Sequence, residues 1–260
     1  MTPESVSFGR AAAYYDETRG FSPEGTRKTV ELLARECAGR GRVLEIGVGT
    51  GQLALPLYAD GVAVVGLDLA RPMLDRLVEK SGEGRRVPLV EGDSTRLPFA
   101  DDAFGAAYLR WVLHLIPSWR AAMQELARAV RARGVIVVSL GTFRDGPKRE
   151  IQERFAETAG MPDAPAGLGW GDWETLDHAM TRLGARPRRL PSYVEIDPLA
   201  VGAFMDALEQ NRHSWTWPMS DTDRLRTAAE VRAWAEDRFG PLDRLPHQRY
   251  EVIWRAYDLA

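Results

Sequence analysis

The segment RVLEIGVGTG, residues 42–51, constrains this chain more than any other stretch: an apolar run ends in Glu45 and turns at once through Gly47, Gly49 and Gly51. A strand that stops in such a turn brings bare backbone against a ligand, because glycine has no Cβ and tolerates φ values that other residues avoid. A dinucleotide fingerprint would need its third glycine at position 52, which is Gln52, so the spacing E-x-G-x-G-x-G points to a different ligand. A second apolar run, 62–67, ends in Asp68. In a doubly wound sheet an acid at that place faces the first turn and can accept hydrogen bonds from both hydroxyls of a ribose. It can equally cap the helix announced by Leu69-Ala70-Arg71-Pro72, and both readings stand open.

Strands and helices alternate along the chain in the manner that demands a mostly parallel sheet covered on both faces, an α/β doubly wound fold. Expected strands are 42–46, 62–67, 87–90, 104–109 and 135–140, with helices over 51–58, 72–80 and 119–131. A first helix starts with Ser22 as cap and Pro23 as first residue. Right-handed crossovers then place the glycine turn and the acids at the carboxyl ends of the strands. Past Leu140, residues 141–170 are rich in Gly and Pro, and MPDAPAGLGWGD reads as loop. A helix over 173–183, a return to the sheet over 186–196 and a last strand over 250–257 follow. Two helical patterns lie between, one with Val201, Phe204, Met205 and Leu208 on a face and one over 221–239, joined by HSWTWPM.

Composition narrows the class. With 260 residues, 45% of them hydrophobic, the chain can bury one substantial core. A net charge of −3 gives no electrostatic footprint for nucleic acid or an anionic membrane. The local run Arg186-Pro187-Arg188-Arg189 reads as a solvated strand edge. A single cysteine, Cys37, precludes an internal disulfide and argues against a thiolate-rich metal site. It shares a face with Val30, Leu33 and Ala34, as a buried small hydrophobe does. His114, His178, His213 and His247 have no metal-ligand spacing, and no metal is expected. MTPESVSFGR has no basic-then-apolar signal and no run reaches spanning length, so a cytoplasmic location without membrane attachment is expected.

The segments EIGVGTG (45–51), GLDLARPML (66–74), EGDSTRLPFADDAFGAAYLRWVLHLI (91–116) and VIVVSL (135–140) resemble class I S-adenosylmethionine-dependent methyltransferases of the small type 11, ubiquinone/menaquinone C-methyltransferase-like family. The resemblance is strong over about 40–140 and weak in the flanks. It implies a seven-stranded Rossmann-like sheet whose last strand has an antiparallel partner, with S-adenosyl-L-methionine as cofactor and S-adenosyl-L-homocysteine as product. Asp93 would accept from the adenine amine, and Ser94 would donate its backbone N–H to the ring. Arg110 would line the pocket beside the methionine moiety, and Glu45, Leu69 and Met73 complete the implied contacts. Asp93 can also serve as a plain turn residue after Gly92. AYYDETRG, residues 13–20, resembles the family's Tyr-Asp-x-x-Arg arm, in which Tyr15 would cover the cofactor and Arg19 would pair with its carboxylate; a planar guanidinium suits that partner.

On the acceptor side, His114 follows the fourth strand and is the candidate general base, or else a pocket-lining residue. The family's paired histidines are here Leu113 and His114, and its Pro-Gly-Gly turn is Arg131-Ala132-Arg133-Gly134. Trp111, Trp215 and Trp217 are candidate walls of a substrate pocket, with Trp170 and Trp234 in the same cover segments; Trp234 reads as core of its own helix. The expected organisation is an N-terminal helical arm over 1–40, a cofactor-binding domain over 41–196 and 241–260, and a helical substrate cover over 197–240 assisted by the loop 141–170. The arm and cover would close over the site to exclude water. The function that follows is methyl transfer by in-line displacement to an O, N or C atom of a small molecule. A non-catalytic cofactor-binding sensor or partner subunit is the alternative. The chain lacks the Asn/Asp-Pro-Pro-Tyr segment used on exocyclic amines of nucleic acids, which lowers the case for a macromolecular substrate.

Overall fold

The computed structural model describes residues 5–82, 86–161 and 166–260, without the side chains of 142–144. The strands are β1 (Val43–Ile46), β2 (Val64–Asp68), β3 (Leu89–Glu91), β4 (Phe104–Arg110), β5 (Val130–Ser139), β6 (Thr142–Asp145), β7 (Arg186–Arg189), β8 (Tyr193–Pro198), β9 (His247–Val252) and β10 (Arg255–Asp258). The helices are α1 (Tyr15–Thr18), α2 (Pro23–Cys37), α3 (Ala54–Ala59), α4 (Arg71–Ser81), α5 (Trp119–Ala129), α6 (Pro147–Ala159), α7 (Trp173–Arg182), α8 (Val201–Glu209) and α9 (Asp221–Phe239). They form two compact units, one of 1–141, 165–192 and 253–260, the other of 142–164 and 193–252.

The first unit holds a seven-stranded sheet in the order β3-β2-β1-β4-β5-β10-β7. Strands β1 to β5 run parallel, and β10 is antiparallel to both neighbours. Every residue of β1 is buried, as a central parallel strand with both faces covered must be. Helix α5 lays Trp119, Ala122, Met123, Leu126 and Ala129 on the sheet at helical spacing. Helix α2 starts as expected, with Ser22 Oγ accepting from Gly25 N at 2.9 Å. It buries Cys37, whose thiol is pushed up to about 12 by burial and is therefore inert. On edge strand β7, Arg188 is tied to Glu36 and Asp258, so the arginine run is a paired sheet edge.

The second unit is a three-stranded antiparallel sheet, β6-β9-β8, with α6, α8 and α9 around Ile151, Phe155, Phe204, Met205, Leu208 and Val231. Its range is wider than the cover expected over 197–240. Residues 141–170 are not all loop, because they contain β6 and the thirteen-residue α6. The Gly and Pro that read as loop are that helix's own punctuation: Pro147 is its first residue and Gly160, at φ +62, its left-handed stop. Positions 162–165 of MPDAPAGLGWGD lie outside the described residues. The run expected as one strand over 250–257 is divided between two sheets, β9 in the second unit and β10 in the first. The return over 186–196 is divided likewise into β7 and β8.

Candidate active site

Gly47, Gly49 and Gly51 all adopt positive φ, at 66°, 54° and 80°. The turn is fastened to the next strand: Gly47 N and Val48 N donate to Leu67 O at 2.8 and 3.0 Å. A Cβ on Gly47 would sit 2.5 Å from Val112 Cγ2, and one on Gly51 2.7 Å from Leu77 Cγ, so the turn is closed to side chains on two sides. Asp68 ends β2 against it, with Oδ2 accepting from Gly49 N at 2.8 Å and Oδ1 from Ala70 N at 2.9 Å. The carboxylate therefore braces the turn and the start of α4 at once. Burial raises its pKa, opposed by the backbone donors at Ala70, Gly49 and Leu69. With about four lone-pair sites, the carboxylate still has room for a further donor.

At the neighbouring strand end, Gly92 N donates to Asp68 O at 3.0 Å, which places the Asp93 segment beside Asp68. Asp93 Oδ1 accepts from Thr95 N at 2.9 Å in a side-chain turn, and Ser94 is buried. Leu69, the residue after Asp68, is an apolar side chain left 40% exposed at the mouth of the turn, and buried Met73 brings Cε toward Gly49. A flat apolar ring between an exposed leucine and two acceptors is well matched to such a surface.

The N-terminal arm closes the other side. Asp16 Oδ1 accepts from Thr50 Oγ1 at 2.6 Å and Gln52 Nε2 at 3.0 Å, while Oδ2 accepts from Lys80 Nζ at 2.7 Å. Burial works against its charge, but the bonds from Lys80, Thr50 and Gln52 outweigh it and hold the carboxyl below its usual range. This latch seats Tyr15 over the turn, its Cε1 4.0 Å from the place of a Cβ on Gly49. The Tyr15 phenol is raised by burial, with the charges of Arg110 and Arg19 opposing. Arg19 donates to Thr18 O at 3.0 Å and, among the described residues, has no carboxylate within ion-pair distance. Replacing Asp16 by alanine is expected to cost the arm about 1 kcal/mol of local opening free energy, a modest figure because the group is more than a third exposed. Amide exchange over 14–19 should rise roughly fivefold; unchanged exchange would show that ring packing alone holds the arm.

Glu45 lies inside, 4% exposed, and accepts from Tyr108 OH at 2.7 Å. Burial pushes its carboxyl up to about 8, so it is largely protonated at neutral pH in the ligand-free protein. The folded chain thus keeps a proton that the unfolded chain gives up near pH 4.5, and the associated stability is present at low pH and lost as pH rises through 8. Between pH 6 and 9 the melting temperature of the ligand-free protein is expected to fall relative to Glu45→Gln, an uncharged near-isostere; parallel curves would refute the assignment. Beside Glu45, Arg110 donates to Gln52 Oε1 at 2.6 Å and stacks its guanidinium over Phe21 at 4.7 Å and Trp111 at 4.6 Å. Trp111 is held at φ 55, a left-handed conformation that a bulky residue adopts only under constraint.

His114 packs its ring 3.9 Å from that of Trp170. Burial, with Arg19 adding to it, depresses the imidazole to about 3, which leaves it neutral at physiological pH and weak as a base. Trp215 sets its ring edge-on to Phe155 at 5.1 Å in the second unit's core, and Trp217 donates Nε1 to Asn211 O at 3.0 Å. Trp234 packs on the same core as expected, edge-on to Phe239 at 5.7 Å. The sequence reading missed Thr50, Gln52 and Lys80 as partners of the arm. The only available signal was Asp16 within YYDETRG, because the latch joins positions 34 to 64 residues apart.

Comparison with known proteins identifies the family and the fold. A family model described as "Methyltransferase domain" matches residues 44–138. The phosphatidylethanolamine N-methyltransferase of Cereibacter sphaeroides is 33% identical over 204 residues, 77% of this chain and 93% of that protein. The demethylmenaquinone methyltransferase of Mycolicibacterium paratuberculosis is 35% identical over 134 residues, 50% of this chain; the alignment spans only 56% of that relative. Among solved structures, YcgJ from Bacillus subtilis aligns over 90% of this chain and 99% of its own with a TM-score of 0.61 at 17% identity, a likeness of fold. Among the described residues, no helix is long and apolar enough to cross a membrane, and no group of three or more His, Cys, Asp or Glu is arranged to hold a metal ion.

Proposed function

The chain belongs to the S-adenosylmethionine-dependent methyltransferases, and on that premise we propose that it transfers the methyl group to a small cytoplasmic molecule, with Asp68, Asp93 and Arg19 as the principal cofactor contacts. The observation that carries this reading is the glycine turn locked to Asp68, with the Asp93 segment at the adjacent strand end. Asp68 would take the ribose hydroxyls, Asp93 the adenine amine, and Leu69 and Met73 the ring faces. Arg19, which has no carboxylate partner among the described residues, would take the methionine carboxylate under the cover of Tyr15. Arg110 and Glu45 line the same pocket as the Gly47 and Gly49 backbone.

When bound, S-adenosylmethionine supplies an electrophilic methyl group on a sulfonium centre. The chain's own contribution is to hold the two molecules in line and keep water out, work suited to Tyr15 and the Asp16 latch. A dry site favours the loss of charge when the attacking atom is anionic. His114, neutral and buried, serves in this reading to line the pocket. A chain with a net charge of −3 has no general attraction for a polyanion, in keeping with a small acceptor. Calorimetry is expected to show S-adenosylhomocysteine binding at one site and no heat with NAD. Heat with NAD and none with S-adenosylhomocysteine would overturn the assignment, and incubation with labelled cofactor and a metabolite extract would identify the acceptor by mass.

A further inference from the structure

We propose that Arg40, Arg42, Arg131 and Arg133 form a binding site for a ligand carrying two or more phosphate groups, at the end of the first unit's sheet opposite the glycine turn. Arg42 immediately precedes β1, whose other end runs into Gly47. Arg131 and Arg133 occupy the turn in which the resembled family has Pro-Gly-Gly. In the β4–β5 ladder Phe104 pairs with Val130 and Ala106 with Val135, so Gly105 alone faces residues 131–134. The surplus bulges outward: Arg131, Ala132 and Arg133 are all exposed, and Arg133 takes φ 59, left-handed for a residue with a Cβ. Gly105 N donates to Arg42 O at 2.9 Å, and a Cβ on Gly105 would overlap Arg40 O, so the 40–42 segment lies against the same corner. Side chains clasp the two segments together, Arg40 Nη1 donating to Arg133 O at 2.9 Å and Arg131 Nη2 to Arg40 O at 3.1 Å.

Among the described residues none of these four guanidiniums has a carboxylate within ion-pair distance, whereas Arg27, Arg71, Arg128, Arg188 and Arg232 each do. The neighbouring acids are engaged elsewhere, Glu36 by Arg188 and Asp101 by Arg128, and Asp102, exposed just before β4, makes no ion pair among the described residues. Like charges gathered without counter-charges repel, and an anion bound among them removes that repulsion. A guanidinium presents a planar fork of donors that matches the oxygens of a phosphate. Among the described residues Arg42 and Arg133 spend no side-chain donor on the chain, and Arg40 and Arg131 keep those the clasp leaves over. Two strand spacings, about 10 Å, separate the backbone of Arg42 from that of the bulge, a span better matched by several linked phosphates than by one carboxylate. The net charge of −3 is no obstacle, because charges more than about 8 Å away are largely screened at physiological ionic strength. Phe104, the ring beside Arg42, is 2% exposed and offers no face for a base to stack on, which speaks against single-stranded nucleic acid.

Tripolyphosphate, titrated by calorimetry into the full chain at pH 7, is expected to bind with an affinity that falls as salt is raised. The double variant Arg42→Gln/Arg133→Gln removes two charges and leaves the clasp intact, and should weaken that binding at least tenfold. Arg154→Gln/Arg226→Gln changes the net charge equally at exposed, ion-paired helix positions and should leave it within twofold. Citrate should bind at least tenfold more weakly than tripolyphosphate. Cosedimentation with vesicles of phosphatidylglycerol and phosphatidylcholine in equal parts distinguishes the source of the phosphates. Cosedimentation that the Arg42→Gln/Arg133→Gln variant loses assigns them to lipid headgroups, and tripolyphosphate binding without cosedimentation assigns them to a soluble ligand. Absence of binding to either probe, binding that the Arg42→Gln/Arg133→Gln variant retains, equal loss in both double variants, or citrate bound as tightly as tripolyphosphate would overturn the proposal.

Discussion

Asp68→Ala is expected to weaken S-adenosylhomocysteine binding by about 1.5–3 kcal/mol, the worth of hydrogen bonds to a charged group, or roughly ten- to 150-fold in Kd. The structure adds a second consequence that the ribose role alone would not carry. Because Asp68 also accepts from Gly49 N and Ala70 N, the alanine variant leaves the turn and the start of α4 unbraced. A melting temperature lowered by the equivalent of about 1 kcal/mol should accompany the loss of affinity. Asp68→Asn separates the two effects: it keeps the side chain's shape and one acceptor but turns an NH₂ toward one of the two backbone donors. Intermediate affinity with intermediate stability is the expected result. A folded alanine variant with undiminished affinity would remove Asp68 from the site.

Gly47→Ala should be the most damaging single change to the turn. Two costs combine there: a left-handed backbone at φ 66, worth about 1–2 kcal/mol for a residue with a Cβ, and the overlap of that Cβ with Val112 Cγ2 at 2.5 Å, worth about 1–3 kcal/mol as overpacking. The sum, about 2–5 kcal/mol, should appear as reduced stability to denaturant together with loss of cofactor binding. The two parts are separable by a double-mutant cycle with Val112→Ala, since the neighbouring methyls can be removed but the backbone angle cannot. The double variant is expected to recover the steric part and keep the strain. Strict additivity would show that the glycine is needed for its φ alone.

How the site could be read from the chain depended on how local its chemistry is. The turn 45–51 and Asp68 were legible because each lies within a few residues of a strand end, where apolar runs stop abruptly and glycine has a definite conformational reason to be. Of the two uses open for Asp68, the structure shows the cap: its bond to Ala70 N braces the start of α4, which leaves the ribose role as a proposal. Helix α6 was missed for the opposite reason. Its boundary residues, Pro147 and Gly160, are the very types that mark loops, and only the burial of Ile151 and Phe155 four residues apart distinguishes the helix between them. The division of 247–258 into β9 and β10 left no mark at all, because the junction at Ile253 and Trp254 carries no glycine or proline and Trp254 is as buried as a strand residue.

By itself the sequence determined the order of strands and helices from α2 through β5, the place of the glycine turn and the identity of the acids at the strand ends. These follow from periodicity and turn chemistry, which act over a few residues. Tertiary structure alone decided the rest. Which strand enters which sheet, that Asp16 finds Thr50, Gln52 and Lys80, that Glu45 is buried deeply enough to keep its proton, and that Arg40 meets Arg131 and Arg133 are consequences of contacts between distant segments. Hydrogen-bond partners and pKa values depend on what surrounds a group after the chain has closed around it, and a linear pattern carries no record of that surrounding.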